Sequence, residues 1–153
     1  MTGRIFNIAE TALNGLDIHY ETREMMFVFT VTDDLADFRV GLIADDDIDR
    51  IMVCVCIPSK VPQANRDRMC TLINELNYET AVGAFSINPE NGELAFRLAN
   101  NVSSETIDAE LVQTCLFQAI YRVRDCYEKI MREMYGGPQM NFTFVPSKDS
   151  KRS

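Results

Sequence analysis

Residues 48–57 read Ile48-Asp-Arg-Ile51-Met52-Val53-Cys54-Val55-Cys56-Ile57, and Pro58 follows at once. Side chains alternate across a β-strand, so Ile51, Val53, Val55 and Ile57 fall on one side and Met52, Cys54 and Cys56 on the other. Both sides are apolar. A strand of that kind sits inside a sheet and is covered on both faces. Pro58 has no N–H to give a ladder and stops the strand. The apolar run from Ile51 to Ile57 is far shorter than the roughly 20 residues a membrane helix needs.

Upstream, Met25 to Thr32 alternates in the same way, with Phe27, Phe29 and Val31 on one face. Asp33-Asp34 and Ala36-Asp37 make a polar turn into a second strand, Phe38 to Ala44, which carries Phe38, Val40 and Leu42 on one side. Asp45-Asp46-Asp47 turns the chain into the central strand. Before these strands, Ile5, Ile8, Ala9, Ala12, Leu13 and Leu16 recur at helical spacing, with Thr2 placed to cap the start and Gly15 to mark the end. Beyond Pro58, Pro62 suits the first turn of a helix whose stripe is Met69, Leu72, Ile73 and Leu76, with Asn77 placed to end it.

Ala81 to Ile87 and Leu94 to Ala99 then flank Asn88-Pro89-Glu90-Asn91-Gly92, a hairpin with turn residues in the loop. The last element is a long helix capped by Ser103 or Ser104. Its stripe runs through Ile107, Leu111, Cys115, Ala119, Val123, Tyr127, Ile130 and Met134 to a stop at Gly136-Gly137-Pro138. The order is α-β-β-β-α-β-β-α, which predicts an α+β fold with a mainly antiparallel five-stranded sheet packed with helices. Residues 1–137 form a single domain, and residues 138–153 form a polar tail in which Met140 to Val145 could pair at an edge.

With 153 residues the chain is one ordinary domain, and a net charge of −8 opposes binding to phosphate backbones or anionic membranes. Nucleic acid and membrane are therefore not expected partners. The N-terminal stretch is amphipathic, unlike an export signal. Five cysteines make no framework and read as free thiols in a reducing compartment, so the expected location is cytoplasmic. The acidic surface favours a basic client.

The face opposite the large hydrocarbons collects Met26, Val28, Met52, Cys54, Cys56 and Ala95 at its centre, with Arg39, Gly41, Ile43 and Arg97 among them. It is small and apolar where a solvated face would carry Lys, Glu and Thr. Either a helix covers it, or it is an interface with a twin or partner, or it lines a small-molecule site.

Catalytic and metal chemistry find little support. Cys54 and Cys56 leave the same strand face, but zinc needs four ligands and no second pair has the spacing. Asp45, Asp46, Asp47 and Asp49 lack a calcium-loop register. No phosphate-binding glycine loop or nucleophile elbow is present, and His19, the single histidine, lies between a helix end and a strand. No catalytic residue, metal or cofactor is expected.

One constellation is more specific. Pro62 to Asn77 is followed by Gly83-Ala-Phe85-Ser-Ile87, then Asn91-Gly92-Glu93-Leu94 and Arg97. A helix ending in Asn, a strand opening with Gly-x-Phe, an acidic Gly turn and a strand with a basic residue resemble the YbjN-like family. That family is described as bacterial sensory transduction regulators, and its domain is similar to the type III secretion chaperone fold. The resemblance spans about Ile5 to Gly137 and implies frequent homodimers and no catalysis. Asn77, Gly83, Gly92 and Arg97 are its pattern positions, and the first three have structural readings as a helix end, a close approach and a positive φ.

The expected function is a non-enzymatic protein- or peptide-binding module, regulatory or chaperone-like and homodimeric. Its partner-binding residues are Met26, Val28, Met52, Cys54, Cys56 and Ala95. The alternative is a small-molecule-sensing signalling domain with a pocket between the sheet and the last helix.

Overall fold

Alternating β-branched and aromatic residues set the strands, and apolar stripes at helical spacing set the helices. The structure, a computed structural model, describes residues 3–136. Its elements are α1 (Arg4–Gly15), β1 (Glu21–Arg23), β2 (Met26–Thr32), β3 (Asp37–Asp45), β4 (Arg50–Cys56), α2 (Arg66–Glu79, after a single 3-10 turn at Gln63–Asn65), β5 (Ala84–Ile87), β6 (Leu94–Asn101) and α3 (Ala109–Tyr135). The strands form one six-stranded sheet in the order β1-β2-β3-β4-β6-β5. Every pairing is antiparallel. β4 is interior, as expected, but the expected cover on both faces is not found: the helices pack on Ile51, Val53 and Val55, while Met52, Cys54 and Cys56 stay half-buried on the other side.

The expected sheet had five strands. The sixth, β1, is three exposed residues with no apolar alternation. It exists because Glu24 adopts a left-handed φ of 55° and turns the chain back so that Arg23 pairs with Met26.

All three helices lie against one face. Phe27, Phe38, Leu42, Val53, Phe96 and Leu98 from the strands meet Ile5, Leu13, Met69, Leu116, Val123 and Ile130 from the helices in one dry core. No polar or charged residue is buried among the described residues. Val31 and Ile87, expected in this core, are half-buried at its margin. The space between sheet and α3 is filled by side chains such as Val112, Cys115, Leu116 and Ala119.

Several element ends differ from expectation for local reasons. Thr2 lies outside the described residues. At the N-terminus of α1, the Asp46 carboxylate does the capping: Oδ1 accepts from Ile5 N–H at 2.8 Å and Oδ2 from Phe6 N–H at 3.1 Å. A Cβ on Gly3 would lie 2.3 Å from Asp46 Cγ, so the approach needs glycine there. The Asp45-Asp46-Asp47 turn is thus a cap borrowed from β3's end. Asp46→Ala is expected to lower stability by about 1–2 kcal/mol, read as a shifted denaturant midpoint with unchanged slope.

Gly15 is the last residue of α1, but the left-handed position after it belongs to Asp17, at φ 58°. α3 begins five residues later than Ser104 because Asp108 is its N-cap, accepting from Leu111 N–H at 2.9 Å. Ser103 instead closes a separate turn through Glu105 N–H. Leu111, expected in the apolar stripe, is exposed, and Val112 is buried in its place. Asn77 does not end α2, which runs on to Glu79. Its side-chain amide clasps Phe85 in β5, donating to the carbonyl at 3.1 Å and accepting from the N–H at 2.8 Å.

Candidate functional site

The sheet register lays the face away from the helices out in three rows. One runs Arg23, Met26, Ile43, Met52, Ala99; the next Glu21, Val28, Gly41, Cys54, Arg97, Ala84; the third Thr30, Arg39, Cys56, Ala95, Ser86. The structure thus brings Met26, Val28, Met52, Cys54, Cys56 and Ala95 onto one surface, each half-buried. None of the three helices covers them, so covering by one of these helices is excluded.

The centre of this face is shallow. Gly41 has no side chain, and Met26 leans over it: a Cβ on Gly41 would stand 3.3 Å from Met26 Sδ. Towards the β5–β6 hairpin the surface dips into an open groove of about 660 Å³, lined by Cys54, Cys56, Ser86, Ala95 and Arg97 with Asn88, Pro89, Glu90 and Glu93 on the hairpin side.

Arginines gather on this face more than the chain average suggests. Arg23, Arg39, Arg50 and Arg97 project here against Glu21, Asp37 and Asp45, in a chain of net charge −8. Arg39 and Arg97 stand beside Cys56 and Cys54; Glu93 lies near enough to act on Cys56, and Glu21, Asp37 and Asp45 lie near the rim. The expected preference for a basic client came from total charge, whereas the centre of this surface carries Arg39 and Arg97. Strand parity already placed both arginines here; the sum over the sequence hid their effect.

Cys54 and Cys56 form a linked pair. Cys56 donates its S–H to Cys54, and this, opposed by burial and aided by the Arg97 guanidinium, lowers the Cys54 thiol to about 6. Cys56 is driven far upward by holding that shared proton, by burial and by the negative charge of Cys54 and Glu93; Arg39 pulls weakly the other way. Among the described residues no three His, Cys, Asp or Glu side chains are grouped to hold a metal. His19 is exposed at the edge of a shallow depression it shares with Glu21, Val28 and Arg39. Cys115 and Cys126 are buried on α3, and Cys70 is exposed on α2.

Comparison with known proteins fits this arrangement. The sequence pattern of YbjN, described as "Putative bacterial sensory transduction regulator", matches residues 9–131. The chain belongs to the YbjN family. The match runs from the second turn of α1 into the last turns of α3 and so takes in the whole sheet. Among solved structures, a chain of the HopA1–SchA chaperone–effector complex superposes with a TM-score of 0.58 at 13% identity, over 82% of this chain and 95% of that one. A chain of the ExsC–ExsE complex gives 0.56 at 7% identity, over 85% and 96%. YbjN from E. coli gives 0.55 at 11% identity, over 78% and 89%. At these identities the likeness is one of fold, which is type III secretion chaperone-like. No curated protein matches this chain. None of the described helices is long and apolar enough to cross a membrane.

Proposed function

We propose that this YbjN-family domain is a non-enzymatic, homodimeric module that holds a protein or peptide segment on the helix-free face of its sheet. The observation that carries the reading is one-sidedness: all three helices pack on the Phe27 side, and Met26, Val28, Met52, Cys54, Cys56 and Ala95 remain half-exposed on the other. Apolar surface of that kind gains from being covered, at roughly 25 cal/mol per Å². The presence of this fold in a chaperone–effector complex supports a protein client.

Geometry and charge narrow the client. Six strands at about 4.8 Å spacing span about 24 Å, the length of roughly seven extended residues. Arg39 and Arg97 at the centre favour an acidic group among apolar side chains. The strand edges offer a second mode, because β5 is only four residues long and pairs β6 only as far as Arg97. The domain is read as residues 1–137, with the remaining residues as a polar tail, in a cytoplasmic setting.

Met52→Asp tests the reading. The variant is expected to keep its circular dichroism and lose association in light scattering at micromolar concentration. A wild-type monomer under those conditions removes the homodimer. A Met52→Asp variant that still associates removes this face as the interface.

The small-molecule alternative retains one foothold. The sheet–α3 space where its pocket was expected is packed, but the 660 Å³ groove at the hairpin lies within the range of ligand sites. A sensing role would use that groove.

A further inference from the structure

We propose that Cys54 is a thiol-modification site, at which the pair Cys54–Cys56, set opposite Arg97 in the open hairpin groove, captures small carboxylate-bearing disulfides by thiol–disulfide exchange. The site shares Cys54 and Cys56 with the proposed docking face, so it is read where that face is uncovered.

Three features of the geometry converge. First, Cys54 is the direct ladder partner of Arg97, and Cys56 is the partner of Ala95 on that side and of Arg39 on the other. Two guanidinium groups therefore flank the pair. Second, Cys54 and Cys56 leave the same face of β4 two residues apart and line the same groove, so each acts on the other's titration. The arrangement selects Cys54 as the nucleophile, since the negative Glu93 acts on Cys56 and the positive Arg97 on Cys54. Third, the groove is open to solvent and large enough for a small peptide disulfide. Cys115 and Cys126 have no such access, being buried beneath the sheet, where burial raises both thiols.

The step balances without an added oxidant. The Cys54 thiolate attacks one sulfur of the disulfide. A Cys54 Sγ–S bond forms, the original S–S bond breaks, and the second sulfur leaves as a thiolate that takes a proton from solvent. Cys54 is oxidised and the departing sulfur is reduced. The mixed disulfide should persist. Two residues along a strand separate Cα atoms by about 6.6–6.8 Å, the upper end of disulfide range, so Cys56 is poorly set to displace the adduct. The adduct fills the groove and removes the exposed thiolate from the face.

The probe is glutathione disulfide with the reduced full chain, followed by peptide mass mapping at pH 6 and pH 8. A low thiol pKa raises the thiolate fraction but lowers intrinsic nucleophilicity, so the advantage at neutral pH is small and shows best in acid. At pH 6 Cys54 is expected to react roughly tenfold faster than a free model thiol titrating near 8.5. Cys70, exposed on α2, serves as the internal comparison. Cys54→Ser should abolish the fast phase, and Cys56→Ala and Arg97→Gln should each slow it at pH 6. A Cys54 no faster than Cys70 at pH 6, or a fast phase surviving Cys54→Ser, overturns the proposal. Light scattering on the same samples and on the Met52→Asp variant, which is expected to leave this face uncovered, separates the two readings: a wild-type monomer with a fast Cys54 removes only the homodimer, and a slow Cys54 in monomeric Met52→Asp removes only this site.

Discussion

Val53→Asp is expected to abolish cooperative folding, while the same change one residue earlier, Met52→Asp, leaves the domain folded. Val53 is fully buried and lies in register between Leu42 and Leu98, with Phe27 next in the row. No polar group is buried in that core to pair with a carboxylate. An unpaired charge there costs several kcal/mol even after it neutralises or draws in water, against a typical total stability of about 5–15 kcal/mol. Met52 stands between Ile43 and Ala99 on the other face, half-exposed, where a carboxylate stays hydrated. Its cost is on the order of 1 kcal/mol, mainly lost strand propensity and packing. Thermal unfolding followed by circular dichroism checks both. If Met52→Asp unfolds as Val53→Asp does, the face called open is core, and a docking surface there is untenable. If neither unfolds, the assignment of Val53 to a dry layer is wrong.

That contrast depends on a parity which was legible in the sequence. Ile51 to Cys56 alternates between hydrocarbon and smaller groups, and the register carries the same parity through β2, β3 and β6. Each of those strands therefore fell on its expected face from its own residues. The open face was legible for the same reason, down to Cys54, Cys56 and Arg97 lying together. The features that were not legible are made by contacts distant in sequence. β1 has no apolar alternation and is held by a turn at Glu24 that carries no glycine. Asp46 caps a helix some 40 residues away, and the Asp-rich turn gave no sign of its target. Asn77 read as a helix stop because the amide of a terminal Asn usually serves locally, yet it satisfies Phe85 across the α2–β5 connection. The helix-free state of the face also needed three dimensions, since an element order cannot say on which side of the sheet a helix lands.

Gly83→Ala is expected to cost about 2–5 kcal/mol, a large loss for a single methyl group. Two effects add. Gly83 has φ +86°, where an L side chain is strained by about 1–2 kcal/mol. The added Cβ would also stand 2.5 Å from Phe96 Cζ and 2.8 Å from the Arg97 carbonyl oxygen. Neither neighbour yields easily. Phe96 is fully buried, packs edge-on to Phe85 with centroids 4.8 Å apart, and is held in the ladder between Val55 and Phe85. The carbonyl is backbone of β6. Overpacking of this kind typically costs about 1–3 kcal/mol. Phe96→Leu removes the ring atoms that meet the new methyl group but leaves the φ strain and the carbonyl contact. The double variant should therefore be more stable than the two single losses predict, with a coupling of about 1 kcal/mol or more. Urea midpoints for the wild type and three variants give the cycle. A Gly83→Ala loss below about 1 kcal/mol would mean that β5 can move away from β6 at its start, and the clasp from Asn77 to Phe85 would then not be holding that strand in place.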